Sequence, residues 1–268
     1  RPLAYKVHPY QWPTIGKELS HIANATLPEV RSFFYHYYAP NNAILSVTGN
    51  ISFDKTVELA EKWFSSIPRR RVPRRNLMQE PEQQEERRMC VERNVPVDAL
   101  YMAYHMCNRL HPDYYAFDIL SDILSNGTSS RLVQHLVKEK QLFTSLDCYI
   151  SGSMDAGLFQ ISGKMAPGIS LEQGETAVRE ELRNLCDNTV SAHELEKVKN
   201  KFESEHIFGL ISYLNVATNL AYFESCGKAE NLFDEVARYR SVTPDQLRYV
   251  SVSAFKNPCV LYYKHLQP

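Results

Sequence analysis

The chain has 268 residues, a formal net charge of -1, a hydrophobic fraction of 44% and a charged fraction of 23%. These values are ordinary for a soluble globular protein, and the length allows one large domain or two small ones. The near-neutral charge gives no reason to expect a nucleic acid or an anionic membrane as partner. The sequence contains no run of about 18 apolar residues, so no membrane span is predicted.

Residues 1–25 are predicted to be a lead-in segment, because their prolines and glycine prevent a long regular element. His8 could be a metal ligand, but no second ligand follows three or four residues later, so we predict a surface or packing role. The chain begins RPLAYKVHPY rather than at a methionine, and we expect it to be a fragment or processed piece of a longer protein.

Residues 26–67 are predicted to form a helix, a strand and a second helix. Thr26 and Glu29 have the spacing of a capping box, and Pro28 fits the first helical turn. Pro40 ends this helix, because the residue before a proline disfavours the α region. Aromatic and apolar residues recur at helical spacing in between: Val30, Phe33, Phe34 and Tyr37.

The strand of this block is predicted over residues 43–48, which read AILSVT. A short apolar, β-branched run followed by Gly-Asn is typical of a strand with at least one buried face. Ser52 should cap the second helix. That helix is expected to bury five residues: Val57, Leu59, Ala60, Trp63 and Phe64.

This block resembles the pitrilysin/insulinase family of zinc metallopeptidases. The likeness lies in an aromatic helix ending in YYAPNNA, an apolar strand, GNIS, and a helix closing on WFSSIP. A second match is SNGTSSRLVQHLVKEKQL, with its glycine turn and SSRL. The resemblance spans nearly the whole chain. It indicates the second, C-terminal subdomain of one of the family's two similar halves.

Residues 68–87 contain three prolines and alternating blocks of charge, which predicts a charged linker. The arginines of residues 69–75 could form a nucleic-acid patch. However, an acidic run follows at residues 80–86, no aromatic residues interleave, and the whole chain is near neutral. We therefore predict a solvated connector and no nucleic-acid partner.

Residues 88–268 are predicted to continue the same α+β domain, so that the whole chain is one domain. Strands are expected at residues 88–93, 99–106, 143–153, 158–165 and 259–264. Helices are expected at residues 111–124, from 131, at 170–185, at 191–220 with a weak point at Gly209, and from 243. Adjacent hairpin strands indicate a mostly antiparallel sheet with helices packed on one face, a two-layer α+β sandwich. The family resemblance implies the same fold.

The family's inverted zinc motif, H-x-x-E-H, is not found in this sequence. None of the nine histidines has a second histidine four residues away. His193 and Glu194 begin an H-E-x-x-H pattern, but Lys197 stands at the second histidine position. We therefore predict no catalytic residue and no metal ligand in this chain. The resemblance implies zinc in the full-length protein, bound by an upstream subdomain.

The family's substrate-positioning arginine and tyrosine belong to the half without metal. The matching positions here are Val137 and Thr144, so both residues are missing. This departure leaves the substrate-binding residues unknown. It favours the second subdomain of the zinc-bearing half, where the segment would wall the chamber and support the metal-bearing subdomain.

Several weaker groups of residues have structural explanations. The turn at Gly127 lacks the lysine of a phosphate-binding loop. Ser129 and Ser130 have no neighbouring base and are predicted to cap a helix. Asp147 and Asp155 lie on or near strands, with nothing to bring them together. Four glutamates are predicted to be solvated helix charges: Glu180, Glu181, Glu194 and Glu196.

The six cysteines are far apart and form no C-x-x-C pair. A chain of this length does not need disulfides, so buried free thiols are expected. This favours a cytoplasmic location, with the periplasm still open. The cysteines are Cys90, Cys107, Cys148, Cys186, Cys226 and Cys259.

The resemblance implies a zinc metalloendopeptidase that hydrolyses peptides in an enclosed chamber, with this segment inactive alone. Its expected partners are the upstream zinc-bearing subdomain, a peptide substrate, and a second copy or partner half. An alternative is a non-catalytic scaffold or peptide-binding subunit of the same fold, like related core proteins of the respiratory chain. A third hypothesis is a nucleic-acid-binding module that uses the arginines of residues 69–75.

Overall fold

The computed structural model describes residues 1–152 and 154–266. Ser153, the end of one predicted strand, and the last two residues of the predicted domain lie outside this description. The chain divides into two compact units. Unit 1 comprises Arg1–Gln11, Gln79–Glu203 and the described residues from Val236 onward; unit 2 comprises Trp12–Met78 and Ser204–Glu235.

The sheet of unit 1 confirms the predicted, mostly antiparallel architecture. Its strands are β1 (Arg87–Arg93), β2 (Ala99–Met106), β3 (Phe143–Ile150), β4 (Gly157–Met165) and β5 (Cys259–His265). The order is β1-β5-β2-β4-β3. Only the β1–β5 pair is parallel among the described strands, and the other three pairs are antiparallel.

The helices follow the predicted order with several differences in extent. They are α1 (Leu19–Ala23), α2 (Leu27–Tyr37), α3 (Phe53–Phe64), α4 (Tyr114–Ser125), α5 (Leu171–Asp187), α6 (Ala192–Gly209), α7 (Tyr213–Ser225), α8 (Asn231–Ser241) and α9 (Pro244–Ala254). Short 3-10 turns cover Pro9–Gln11 and Pro40–Asn42, and a π-helix covers Val133–Glu139. None of the described helices has the length and apolar character that crossing a membrane requires.

The main core of unit 1 lies between the sheet and its helices. In β2, Leu100, Met102 and Tyr104 are buried, whereas Tyr101 between them is exposed. This alternation places one face of the sheet against helices and leaves the other open. Helix α4 packs against β3, and α9 packs against both α4 and α5. The predicted two-layer α+β arrangement is therefore confirmed.

In the C-terminal part, one predicted helix was too long, although its weak point at Gly209 was predicted, and one helix was missed. The helix predicted over residues 191–220 is broken: α6 ends at Gly209 and α7 begins at Tyr213, where Ser212 Oγ accepts a hydrogen bond from the Asn215 N–H at 3.4 Å. Glycine is a poor helix former, and a new N-cap restarts the helix. The helix α8 was not predicted.

The helix predicted from residue 131 is mainly a π-helix. The Lys140 N–H donates to the His135 carbonyl at 2.9 Å, which is the five-residue spacing of that form. Hydrophobic periodicity predicts a helix here but does not distinguish one type of turn from another.

The helix caps predicted for unit 2 are present. The Glu29 carboxylate accepts hydrogen bonds from the Thr26 backbone N–H at 2.8 Å and from its hydroxyl at 2.7 Å. At α3, Ser52 Oγ accepts from the Lys55 N–H at 3.3 Å. Local capping chemistry therefore sets where α2 and α3 begin.

The strand predicted at residues 43–48 and the burial predicted for α3 were both wrong. Residues 43–48 form no regular element. In α3, Trp63 is 66% exposed, Val57 and Phe64 are also exposed, and Leu59 and Ala60 are only half-buried. A strand needs a neighbour to bond its backbone, and the part of the chain that the structure describes places none beside this segment.

Candidate functional site

The face of the sheet turned away from the helices carries a group of aromatic and apolar side chains. We call this group, Met89, Tyr101, Tyr149, Leu261 and Tyr263, the open face. Tyr101 is paired in register with Leu261, and its ring meets that of Tyr263 edge-on at 6.5 Å between centroids. Met89, Tyr101 and Tyr149 are exposed. The open face offers amphipathic contacts to a bound chain.

A small pocket opens on this face. It has a volume of about 140 Å³ and is lined by the open face and by the N-terminal segment, including Tyr101, Tyr149, Gln160, Leu3 and Ala4. The lining is mainly apolar, with an amide at Gln160 and the charged Arg1. A pocket of this size suits a single apolar side chain, since pockets for whole small molecules are several times larger.

Glu80 fixes the N-terminal segment beside this pocket. Its carboxylate accepts hydrogen bonds from three consecutive backbone N–H groups, those of Lys6 (2.8 Å), Val7 (2.9 Å) and His8 (2.9 Å). Burial alone would raise the pKa of Glu80, but these bonds outweigh it and lower the pKa below the ordinary value. The sequence placed Glu80 in a charged linker and gave no signal of this role.

His8 lies in the packed interior of the N-terminal segment. It is buried, its Nδ1 accepts the Tyr10 N–H at 3.1 Å, and its Nε2 lies 3.3 Å from the Asp155 carboxylate. Nearby, His105 Nε2 bonds the Ala4 carbonyl at 3.0 Å. Burial lowers the pKa of His105, which favours a neutral ring that donates this bond. These contacts hold the segment in place.

The histidines and acids of the described residues lie apart from one another or make other contacts. Among the described residues, no three His, Cys, Asp or Glu side chains come together in a group that could hold a metal ion. Two residues of the incomplete H-E-x-x-H pattern make polar contacts with neighbouring side chains. Glu194 forms an ion pair with Arg131 at 2.7 Å, and Lys197 Nζ donates to Ser129 Oγ at 3.2 Å.

Two glutamates predicted to be solvated are instead engaged. Glu181 is buried and bonds His135 at 3.1 Å, and Glu194 pairs with Arg131. Glu180 agrees with the prediction, because its side chain is half exposed and its ion pair with Lys140, at 3.8 Å, is long. Exposed and buried acids on one helix differ in the direction that their side chains face. The residue type alone does not show that direction.

Glu175 of α5 is a buried carboxylate that the sequence did not single out. It accepts hydrogen bonds from Tyr262 Oη at 2.6 Å and Arg179 Nε at 2.7 Å, and Arg88 pairs with it as well. Burial would raise the pKa of Glu175, but the bonds from Arg88, Tyr262 and Arg179 together lower it. The cluster faces the helical layer and is structural.

The positions matched to the family's substrate-binding residues have ordinary roles. Val137 packs half-buried against the core, and Thr144 is exposed with its hydroxyl donating to the Lys164 carbonyl at 3.3 Å.

The predicted cap at Ser130 was wrong, because its buried hydroxyl donates to the Gly127 carbonyl at 2.7 Å. Asp147 lies on β3.

The arginines of the linker are partly engaged within unit 2. The Arg70 guanidinium lies 4.5 Å from the Tyr35 ring centroid, and its backbone N–H donates to Asn41 Oδ1 at 3.0 Å. Arg75 lies 6.0 Å from the Tyr37 ring centroid. These contacts give Arg70 and Arg75 partners on α2 and on the turn that follows it.

Burial raises the thiol pKa of four of the cysteines: Cys107, Cys148, Cys186 and Cys259. Cys148 and Cys259 are buried as predicted, but the prediction was wrong for Cys90, which is exposed. Burial raises the pKa of Cys107 to about 12 and raises that of Cys148 as well. Thiols of raised pKa are inert at neutral pH.

Known proteins similar to this chain in sequence include two named as zinc proteases. Zinc protease PqqE of Helicobacter pylori is 28% identical over 258 residues, covering 95% of this chain and 58% of that protein. The uncharacterized zinc protease YmxG of Bacillus subtilis is 26% identical over 208 residues, covering 78% of this chain and 49% of that protein. The chain thus spans about half the length of these relatives.

Among solved structures, a protease from Helicobacter pylori has a TM-score of 0.89 at 27% identity, covering 97% of this chain and 64% of that one. A family model described as "Peptidase M16 inactive domain" matches residues 24–202. The predicted resemblance to a C-terminal subdomain of a pitrilysin/insulinase-type peptidase is therefore confirmed. With two thirds of its length matched by that model, the chain belongs to the family of peptidase M16 inactive domains.

Proposed function

We propose that this chain is the non-metal-binding, C-terminal part of a zinc metalloendopeptidase whose full-length form hydrolyses peptides in an enclosed chamber. The proposal rests on the match to a peptidase family, combined with the absence of a zinc-binding group among the described residues. The relatives are named zinc proteases, yet the described residues bring no zinc-binding group together. The metal site would therefore lie in the part of the protein outside residues 1–268, expected upstream.

Within that protein, the open face is the surface we propose to wall the chamber. Its tyrosines combine apolar rings with hydroxyl groups and suit peptides of varied sequence. Because Val137 and Thr144 replace the substrate-positioning residues, the chain is assigned to the half that carries zinc. Its contribution to catalysis is to confine the peptide, while every proton-transfer and metal-binding group is supplied elsewhere.

The test compares the full-length protein with residues 1–268 alone. We expect stoichiometric zinc, measured by elemental analysis, and chelator-sensitive cleavage of fluorogenic peptides only in the full-length protein. Zinc-dependent cleavage by residues 1–268 would contradict the proposal, because this segment would then hold its own active site. Absence of zinc in the full-length protein would contradict it as well.

The second candidate is a scaffold or peptide-binding subunit of the same fold. The open face would serve this role equally, since it needs no metal. The two functions separate in the same experiment. A full-length protein that binds unfolded peptides, without zinc and without cleavage, identifies the scaffold.

A further inference from the structure

A cavity of about 190 Å³ lies within unit 1, between α5, the helical side of β2 and the residue that follows α9. A single water needs only about 10–15 Å³, so the cavity has room for a small polyatomic ligand. Its lining combines a tyrosine of the sheet with two arginines of α5. The lining residues are Tyr104, Arg179, Leu182, Arg183, Cys186 and Phe255.

The hydroxyl of Tyr104 has no hydrogen-bond partner among the described residues. Tyr104 is only 2% exposed, and its ring packs edge-on against Phe255 at 5.2 Å between centroids. Burial raises the pKa of Tyr104, and the charge of Arg179 opposes that rise, so the hydroxyl lies near another residue of the cavity wall. A buried hydroxyl without a partner is costly. Its place on the cavity wall therefore indicates that something in the cavity bonds it.

The side chains around the cavity carry an excess of positive charge. Arg183 and Lys256 are exposed, and neither side chain makes an ion pair or hydrogen bond within the described chain. The Lys256 charge acts on the Cys186 thiol and lowers its pKa, whereas the Asp187 charge raises it. Arg248 Nε donates to the Cys186 carbonyl at 3.1 Å. The cations of this group outnumber the acid, which favours an anion in the cavity.

Arg179, the other arginine of the lining, is held in place by two acids. Its Nε donates to Glu175 Oε1 at 2.7 Å, and its Nη2 donates to Glu86 Oε2 at 2.8 Å. Arg88 pairs with the same two glutamates, so two positive charges balance two negative ones in this cluster. The Arg179 guanidinium is thus fixed at the cavity wall without cancelling the charge of Arg183.

We propose that this cavity, which we call the anion pocket, binds a phosphate-type oxyanion. The Tyr104 hydroxyl donates to one oxygen at the floor, and Arg183 pairs with the anion at the mouth. Arginine suits this role because its planar fork of N–H groups matches the oxygens of phosphate. The apolar side chains of Leu182 and Phe255 strengthen these bonds by keeping the surroundings of low polarity. The anion pocket shares no residue with the open face, so the inference does not rest on the proposed function.

Alkylation of Cys186 measures occupancy of the anion pocket, because this half-buried thiol is part of the lining. In the full-length protein, inorganic phosphate at ten times its half-protecting concentration should slow the reaction with iodoacetamide about tenfold, since only the empty fraction reacts. Mass spectrometry of the Cys186 peptide gives the rate. The exposed thiol of Cys90 is the control and should react at an unchanged rate. Absence of protection, or equal protection by sodium chloride at the same ionic strength, would overturn the proposal.

Two variants in the full-length protein test the residues that hold the anion. Tyr104→Phe and Arg183→Ala should each raise the half-protecting phosphate concentration roughly tenfold or more, the effect of losing a hydrogen bond to a charged group. Arg31→Ala, at an exposed position of α2, should change it less than about twofold. Tyr104→Phe keeps the ring and removes only the unpartnered hydroxyl, so its melting temperature without phosphate should not fall. Wild-type affinity in Tyr104→Phe would overturn the proposal, because water alone would then bond the hydroxyl.

Free phosphate and the phosphomonoester of a larger molecule offer the same chemistry to the anion pocket. Glycerol phosphate in the alkylation assay separates the two sources. If it protects Cys186 at a lower concentration than inorganic phosphate and loses this effect in Tyr104→Phe, the ligand is a phosphomonoester. Weaker protection with the same loss identifies the free ion. Acetate carries one charge and two oxygens, and protection by acetate equal to that by phosphate would contradict a phosphate site.

Discussion

The buried carboxylate of Glu175 joins three side chains from three elements: Arg88 of β1, Tyr262 of β5 and Arg179 of α5. It thereby ties the parallel edge of the sheet to the helix above it. An ion pair in such a place stabilises mainly because breaking it leaves charges without partners. The geometry, rather than the number of charges, gives this residue its effect on folding.

Replacing Glu175 by Gln should therefore destabilise the protein by roughly 1.5–3 kcal/mol at pH 7, the cost of hydrogen bonds to a charged group. Urea denaturation followed by circular dichroism measures the change. Glu180→Gln on the same helix is the control and should lower stability by less than about 0.5 kcal/mol, since Glu180 is half exposed. Equal losses would show that the cluster has no special role.

The same residue gives stability a pH dependence. Because the folded pKa of Glu175 is lowered from the ordinary value of 4.5, its contribution is fully present above that pH. It is lost as the pH falls through the folded pKa. The stability difference between wild type and Glu175→Gln should shrink as the pH falls below 4.5, as measured by urea midpoints at stepped pH. A constant difference would contradict the assignment.

Glu80 is expected to control the order of the N-terminal segment. Glu80→Gln removes the charge that three N–H groups share and should increase amide exchange at Lys6, Val7 and His8. The expected loss of stability is roughly 1–3 kcal/mol. Glu82→Gln is the control, because Glu82 is exposed in the same linker. Unchanged exchange in Glu80→Gln would refute the anchoring role.

At the scale of elements, the packing of α5 on the sheet depends on two glycines. A Cβ at Gly174 would lie 2.6 Å from Met165 Cε and 2.8 Å from Phe143 Cζ. A Cβ at Gly163 of β4 would lie 2.6 Å from Leu146 Cδ1 and equally close to the Phe143 ring. Both glycines give room to the Phe143 ring, so helix and sheet approach closely there.

Alanine at Gly174 or Gly163 should cost roughly 1–3 kcal/mol, the usual effect of overpacking a core. Thermal unfolding of each variant measures this. Gly209→Ala is the control: nothing lies within 4 Å of its Cβ position, and alanine is the better helix former. It should be neutral or stabilising by no more than about 1 kcal/mol. A loss there as large as at Gly174 would show that close packing is not the cause.

The elements themselves show which local signals are reliable. Ser170 and Gln173 form the predicted capping box of α5, with hydrogen bonds of 2.9 and 3.2 Å. Such caps depend on residues three apart and are visible in the sequence. The turn type of the helix at Val133–Glu139 and the start of α8 have no comparable signal. They depend on which surfaces the neighbouring elements offer.

For the molecule as a whole, the sequence predicts no nucleic-acid partner despite the five arginines of residues 69–75. Contacts of Arg70 and Arg75 with tyrosines of α2 agree with a structural role. In a filter-binding assay, residues 1–268 should retain no DNA or RNA in a salt-sensitive manner. Affinity that falls steeply with salt and is lost in Arg74→Ala, Arg75→Ala would restore the binding hypothesis.

Motifs and periodicity in the sequence were enough to determine the family, the two-layer α+β fold, the strands β1, β2, β4 and β5 to within about a residue, and the missing zinc motif. These features depend on short-range patterns, in which a residue and its neighbours along the chain carry the information. The open face needed the strand register, since alternation alone does not say which side the helices cover.

Only the tertiary structure decided which charges are buried, as at Glu175 and Glu181, and which are bonded to distant backbone, as at Glu80. It also decided which apolar residues are exposed, as along α2 and α3. Burial depends on partners that are distant in sequence. An apolar strand signal reports that a segment can pair and pack. Whether it does so depends on a neighbouring strand, because backbone groups gain their hydrogen bonds only from one.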